Sequence, residues 1–405
     1  MRLCVCGNSV TRRGGIWHTH HSFGRIVERL APRVRELHYH APQATDAAAR
    51  SCDSPLDTPN IVVHVWPVRR NSLHALRRPD RLLRDYWSMV RRCDALYLRG
   101  SGPLLWTAHW MARLRGVPVV HWIIANPSAV LRSERSRYAW WLHTLGLGFA
   151  SLERAMLRLA VRASRAYVLA NGAEVARLFR TRRTIPVVST SITEADMFVR
   201  GDTCTGPDIR LLFVGFIRPE KGIEYLLRSL PLVDADRPVR LAIVGPWDQF
   251  PREHQRLNSI VEELALRGRV AWEGYCTFGH ELFSQMDRSD LLVLPSLSEG
   301  TPRVLVEARA RSLPIISTTV GGIPSSVTDG QDGLLVPPRD PAALASAISR
   351  IIRDGDLRRR LIGNGRERVK CMTIDRFVDL VLDLLAPRPL GASSARSLSD
   401  AEWRQ

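Results

Sequence analysis

Three charged residues are spaced so that they could grip a phosphorylated, hydroxyl-rich ligand. Lys221 closes the run VGFIRPEKG and is one of only two lysines in the chain. Gly215, in the same run, ends an apolar strand and lets backbone approach a ligand closely. Lys221-Gly222 opens a helix, whose free N–H groups and positive dipole end favour phosphate. An ordinary strand-to-helix loop with a solvated lysine is the competing reading. The second run is LLVLPSLSEGTPRVLVEARARSLPIIST, 291–318. A strand stops at Pro295, a loop carries Ser298, Glu299, Gly300 and Thr301, and Pro302 stands where a helix begins. Glu307 follows Glu299 by eight positions, a separation of roughly 12 Å along a helix. That span suits a sugar at one end, a diphosphate between and a ribose at the other. A carboxylate accepting two hydroxyls makes charge-assisted bonds. Alternatively Glu299 caps the helix and Glu307 pairs with Arg303 or Arg311. A third run, TTVGGIPSSVTDGQDGLLVPPRD, places Gly321-Gly322 and a helix start after a strand, with Gly330 and Gly333 in turns.

Such residues need a scaffold of strands followed by helices, and the chain alternates these almost throughout. In the first half, strands are expected near 2–6, 35–40, 61–65, 94–98, 118–123, 166–170 and 185–189, with helices such as 20–31, 73–92 and 103–115. In the second half, strands fall near 209–214, 238–244, 269–273, 290–294, 314–318 and 333–336. The helices there lie near 221–231, 252–267, 278–287, 302–312 and 340–353. The polar stretch 196–209 interrupts the alternation and reads as a linker. Two domains follow, 1–198 and 205–371, then a helix over 372–387 and a Ser/Ala/Pro/Arg-rich, disordered tail over 388–405.

Charge separates the halves. Residues 1–200 hold 31 Arg and no Lys against 13 acids, a surplus of 18; residues 201–405 hold 25 Arg and 2 Lys against 27 acids, a balance of zero. A basic first half points to an anionic partner: a lipid surface, a phosphorylated acceptor or nucleic acid. The absence of any zinc-finger, RNP or basic-zipper pattern argues against nucleic acid. Seven scattered cysteines without a C-x-x-C pair of zinc type read as reduced thiols of a cytoplasmic protein. No apolar run is long enough to span a bilayer, and the start is too short for a signal peptide.

Taken together, VGFIRPEKG, the E-x7-E element from Glu299 to Glu307, and the trailing GGIPSSV and DGLLVPP resemble the retaining glycosyltransferases of family 4. The resemblance covers about 205–370 closely and the first half weakly. It implies the GT-B fold: α/β, two Rossmann-like doubly wound domains facing across a cleft, with the last helix, near 373–386, crossing back to the first. It implies a nucleoside-diphosphate sugar donor, retention of anomeric configuration, and no required metal or other cofactor. Glu299 would meet the sugar hydroxyls, aided by Gly300, Thr301 and Leu305; Glu307 would meet the ribose and Lys221 the diphosphate. The family's glycine loop after the first strand corresponds here to Gly14-Gly15, ahead of a helix in IWHTHHSFGRIVERL, so Gly15 is a donor-site candidate. His18, with His20 and His21, would line the cleft or the surface rather than bind metal.

Three positions depart from the family. Phe216 stands where an Arg is usual, with Arg218 two places on to supply the charge. Ile124 stands where a His is frequent; His121, three residues earlier, would point to the opposite face of its strand, but stays with His18 and Asn126 a candidate for the acceptor cleft, where Asn126 could hydrogen-bond. Ser325 replaces a common acid. The expected reaction moves a sugar from the nucleotide to a hydroxyl of a glycan or lipid-linked acceptor, as in bacterial polysaccharide or glycolipid synthesis. Lys221, Arg218 and a helix N-terminus would stabilise the leaving diphosphate. The alternatives are a binding or scaffold protein of this fold without turnover, or a nucleotide-sugar epimerase. The stretch LRSERSRYAWWLHTLGLGFASLERAMLRLAVRASR, 131–165, places basic residues around an uncharged run holding Trp140, Trp141, Leu145, Leu147 and Phe149. It suits peripheral contact with an anionic membrane at the inner face of the plasma membrane; buried helices of the first domain are the other reading.

Overall fold

The computed structural model describes residues 1–45, 49, 52–66, 78–124 and 140–386. The chain forms two compact units, Met1–Val187 with Ile374–Gln405, and Val188–Thr373.

In the first unit seven parallel strands stand in the order β10-β9-β8-β7-β1-β4-β6. They are β1 (Arg2–Cys6), β4 (Glu36–Pro42), β6 (Ile61–Trp66), β7 (Ala95–Arg99), β8 (Val119–Ile123), β9 (Tyr167–Asn171) and β10 (Thr184–Val187). Helices α1 (His21–Leu30), α2 (Pro79–Arg92), α3 (Trp106–Leu114), α4 (Trp140–Ser164) and α5 (Gly172–Leu178) accompany them. The central strands are apolar on both faces because helices cover both; VVHWI of β8 is buried at all five positions.

A smaller antiparallel sheet was not anticipated. It joins β2 (Val10–Arg13), β3 (Ile16–His20) and β5 (Cys52–Pro55). The glycine loop expected to lead from the first strand into a helix is therefore a hairpin turn. Gly14 and Gly15 both take positive φ, 56° and 86°, as a tight turn between twisted antiparallel strands requires. Residues 16–20 alternate as a strand, and the helix begins only at His21.

The second unit carries a six-stranded parallel sheet in the order β13-β12-β11-β14-β15-β16. Its strands are β11 (Ile209–Val214), β12 (Val239–Val244), β13 (Val270–Gly274), β14 (Leu291–Leu294), β15 (Ile315–Thr318) and β16 (Leu334–Val336). Helices α6 (Ile223–Ser229), α7 (Pro251–Glu263), α8 (His280–Asp287), α9 (Val304–Ala310), α10 (Ile323–Ser326), α11 (Pro341–Arg353) and α12 (Gly355–Lys370) follow the strands. The chain changes unit at 187/188 rather than within 196–209. Residues 188–204 are tied to the second unit by backbone and side-chain bonds: Phe198 N–H to Ala310 O at 2.8 Å, and the Arg200 guanidinium to Asp287 O and Ser289 O, each at 2.8 Å.

The last helix, α13 (Ile374–Leu385), packs in the first unit. Ile374, Phe377, Val378 and Val381 follow helical spacing and enter the core with Phe23, Ile26 and Leu30 of α1. Ion pairs Arg29–Asp375 and Arg33–Asp379 flank the contact.

Candidate functional site

In the second unit the strand order reverses between β11 and β14, neighbours that lead into chain segments on opposite sides of the sheet. Ligands of open α/β sheets bind outside the carboxyl ends of the strands at such a point. The loop after β11 carries Gly215, Arg218 and Lys221, and the loop after β14 carries Glu299, Gly300 and Thr301. Lys221 Nζ donates to Glu299 Oε1 at 2.5 Å, and Ser296 Oγ donates to the same oxygen at 2.8 Å. Both charged side chains are largely buried, 18% and 9% exposed. The two residues, from separate motifs, are therefore in direct contact.

Backbone contacts fix the two loops. Leu297 N–H bonds Glu220 O at 2.7 Å, joining them directly. Gly222, at φ 65°, lies where a Cβ would sit 2.1 Å from Pro295 O. The Gly321-Gly322 pair, which read as loop punctuation, presses on the other side: a Cβ on Gly321 would stand 1.9 Å from Glu299 O, and Gly322 N–H bonds Gly300 O at 2.9 Å. Only glycine permits this approach. Thr301 Oγ1 lies buried beside these loops with no hydrogen-bond partner among the described residues.

Helix α9 begins at Val304, so the straight-helix spacing between Glu299 and Glu307 holds only for its last turn. Glu307 is buried and accepts from Ser191 Oγ at 2.7 Å. Arg311, a suggested partner, is instead held by Asp287 and stacked on Phe198 and Phe283 at 4.9 and 4.8 Å. Leu305 is fully buried, so its side chain belongs to the core. One turn on, the fully buried Arg309 pairs with Asp332 at 2.9 Å and donates to Ser326 O at 2.6 Å. Burial pushes this guanidinium down to about 10, opposed by Asp332. Asp332, in the DGQDG turn, thus anchors the helix that carries Glu307, a role that no local pattern marks.

Arg218 is gripped by aromatic rings. Its guanidinium lies 5.1 Å from the Phe216 centroid and 4.9 Å from that of Phe250. The two rings meet edge-on at 6.2 Å. Phe216, the departure from the family pattern, therefore helps to orient the arginine two places on. Phe250→Ala removes one of these contacts, about 0.5–1 kcal/mol at a half-exposed site. Nucleoside-diphosphate affinity is expected to fall a few-fold, with Phe250→Tyr retaining it; isothermal titration of both variants checks this.

In the first unit the strand order reverses between β1 and β7. Arg99, at the end of β7, bonds Asn8 and lies over Phe23 and Trp122 at 4.7 and 5.2 Å. Neither Arg99 nor Asn8 was singled out, because nothing local marks them; the signal is their position at the ends of neighbouring strands. Gly15 lies in the hairpin turn, and His18 in β3 has Nδ1 3.2 Å from Ile16 O. His121 is corrected from a cleft candidate to a core residue. It is fully buried, with Nε2 2.7 Å from Gly100 O and Nδ1 3.0 Å from His109 Nε2. Ile124 packs on the opposite face of the sheet, as the strand period requires. Asn126 lies outside the described residues.

Among the described residues no group of three or more His, Cys, Asp or Glu could hold a metal ion. The family model described as glycosyl transferases group 1 matches residues 205–368. The chain is 27% identical over 322 residues to an alpha-D-kanosaminyltransferase of Streptomyces kanamyceticus, covering 75% of this chain and 78% of that one. It is 31% identical to a D-inositol 3-phosphate glycosyltransferase of Streptomyces bingchenggensis, over 46% of this chain and 42% of that one. In six further curated relatives the match spans only 36% to 50% of their length. Among solved structures, Anabaena Alr3699/HepE in complex with UDP is similar with a TM-score of 0.66 at 18% identity, over 95% of this chain and 100% of that one. WaaG, a glycosyltransferase involved in lipopolysaccharide biosynthesis, is similar with a TM-score of 0.63 at 15% identity, over 95% and 100%. The architecture is that of the GT-B glycosyltransferases.

Proposed function

We propose, from the premise that residues 205–368 form a glycosyl transferases group 1 domain, that the chain is a retaining glycosyltransferase using a nucleoside-diphosphate sugar. The observation that carries this reading is the Lys221–Glu299 pair at the point where the strand order reverses. An ammonium for the diphosphate sits against a carboxylate for the sugar hydroxyls, so the two recognition elements of such a donor are adjacent. Lys221, oriented Arg218 and the backbone of the β11 loop would stabilise charge developing on the departing diphosphate. Glu299 would accept hydrogen bonds from the sugar, and Glu307 from the ribose, at fixed positions. Gly300 and Thr301 would contribute at the sugar end, with the buried Thr301 hydroxyl as donor. Among the described residues the side-chain contacts of Glu299 are with Lys221 and Ser296, not with a second carboxylate that could serve as a glycosidase nucleophile. A front-face displacement, in which the leaving phosphate takes the acceptor proton, fits these residues better than a covalent intermediate. The acceptor would be a glycan or lipid-linked hydroxyl compound met by the first unit, in glycoconjugate synthesis.

A panel of nucleoside-diphosphate sugars, each incubated with the chain, tests the reading. The expected result is thermal stabilisation by a subset of donors, with hydrolysis or transfer giving a product of retained configuration by NMR. Stabilisation without turnover would favour the binding-protein alternative, to which Phe216 and Ile124 point; an altered nucleotide sugar would identify an epimerase.

Lys221→Ala should weaken nucleoside-diphosphate binding about 100-fold, near 2.7 kcal/mol. The loss combines a missing charge-assisted contact with the Glu299 carboxylate left facing the phosphates. The matching uncharged nucleoside should lose far less. Titration of both ligands reads the difference, and equal losses would give Lys221 a purely structural role.

A further inference from the structure

Of the uncharged run expected to meet a membrane, the side chains of Trp140 and Trp141 lie outside the described residues; the described exposed apolar surface of this segment is made by leucines. On α4, Leu145, Leu152 and Leu159 are 64%, 60% and 54% exposed. They stand seven residues apart, close to two helical turns, and so share one face. Gly148 and Ala155 between them are exposed as well. The buried face is made by Ala150, Leu157, Ala160 and Val161. A surface helix ordinarily turns charged residues outward opposite its buried stripe; α4 turns leucines outward instead.

Charge is sorted around this stripe. The one acid of α4, Glu153, points inward, accepting from Leu104 N–H at 3.1 Å and Trp106 Nε1–H at 3.4 Å. At the other end of the helix, Arg113 donates to Ala163 O at 2.5 Å, which brings the end of α3 beside the end of α4. Leu114, 81% exposed, stands there between the exposed Arg113 and Arg115, with Arg162 and Arg165 exposed on α4 and just after it. Apolar side chains flanked by guanidinium groups, with the acid withdrawn, are suited to the headgroup region of an anionic bilayer.

We propose that the outer face of α4, continued by Leu114, docks the chain onto an anionic lipid surface with the helix lying in the interface. Among the described residues no helix is long and apolar enough to cross a membrane, so the contact is superficial. Charge selects the occupant. The first 200 residues carry 31 Arg against 13 acids. A second copy on this stripe would therefore set like charge against like, whereas anionic headgroups supply the opposite sign. The proposal rests on reading the first unit as meeting a lipid-linked acceptor.

The test is co-sedimentation of the full chain with phosphatidylcholine vesicles, with and without phosphatidylglycerol, at low and high salt. Wild type should bind the anionic vesicles, less so at high salt. Replacing the three leucines by Glu (L145E, L152E and L159E together) should lower the partition coefficient about tenfold or more. The corresponding Gln variant should show a smaller loss. These side chains are already exposed, so thermal unfolding and nucleoside-diphosphate binding should match wild type in both variants. Equal vesicle binding by wild type and the Glu variant would overturn the α4 face and leave the anionic-surface reading standing. Failure of wild type to bind anionic vesicles would overturn both. Conversion of a wild-type dimer to monomer by the Glu substitutions, without vesicle binding, would assign the stripe to a second copy.

Discussion

Glu299→Ala is expected to lower kcat at least about a thousandfold, near 4 kcal/mol of transition-state stabilisation, while nucleoside diphosphate still binds. The carboxylate is in contact with Lys221 and Ser296, both in the same two loops. Its removal leaves the backbone contacts of the loop unchanged, since Leu297 N–H and Gly300 O are engaged elsewhere. It also frees Lys221 from its counter-charge. Diphosphate affinity should therefore hold or rise, while the sugar loses the acceptor that fixes its hydroxyls. Single-turnover kinetics with a saturating donor, together with titration of the diphosphate, separates the two effects. A kcat near wild type would remove Glu299 from the reaction. Loss of diphosphate binding would show that the Lys221–Glu299 pair shapes the loop rather than the chemistry.

Acid should destabilise the first unit well above the carboxylate range. His109 and His121 are fully buried and hydrogen-bonded to each other, and burial is the main cause that lowers both; His121 falls to about 4. His40 is pushed down to about 2, chiefly by burial and then by His64. Unfolded, each imidazole titrates near about 6.5. The unfolded chain thus binds more protons than the folded one below that pH, and stability falls as pH drops. Each buried imidazole contributes about 1.4 kcal/mol per pH unit, so His109 and His121 alone remove on the order of 4 kcal/mol between about pH 6 and 4.5. The effect levels off once the folded pKa values are reached. Urea titrations from neutral to mildly acid pH, read by hydrogen exchange to distinguish the units, measure it. A first unit equally stable throughout would mean that these imidazoles are solvated. Replacing both His109 and His121 by Gln should flatten the dependence even if it lowers stability at neutral pH.

The second unit was legible in the sequence because its strands are short apolar runs between helices with clear periodicity. Every expected strand there lies within a residue or two of the observed one. Lys221 and Glu299 were legible as types in loops, but their contact depends on β11 and β14 being neighbours, which no local pattern states. Helix α12 was missed: its sequence, GDLRRRLIGNGRERVK, is mostly polar and holds Gly363 and Gly365, which argue locally against a helix. It forms because Leu357, Leu361, Ile362 and Val369 are buried and Asp354 caps its start by accepting from Leu357 N–H. The hairpin at Gly14-Gly15 was misread because two glycines after a strand serve a turn between strands as well as a phosphate loop. Ser191, the partner of Glu307, lies 116 residues away in sequence, beyond any spacing argument.

Gly321 bears on how mutational tolerance should be read across this chain. Its Cα faces the Glu299 carbonyl so closely that even a methyl group would overlap it. In a saturation screen scored by activity, this position should tolerate nothing, and would rank beside the residues of the reaction itself. Scored by abundance, it should look ordinary, because the displaced segment is a surface loop rather than the core. Positions of this kind define a class whose intolerance reports the placement of a neighbour's carboxylate, and comparing the two scores would sort them from true contacts before any ligand is known.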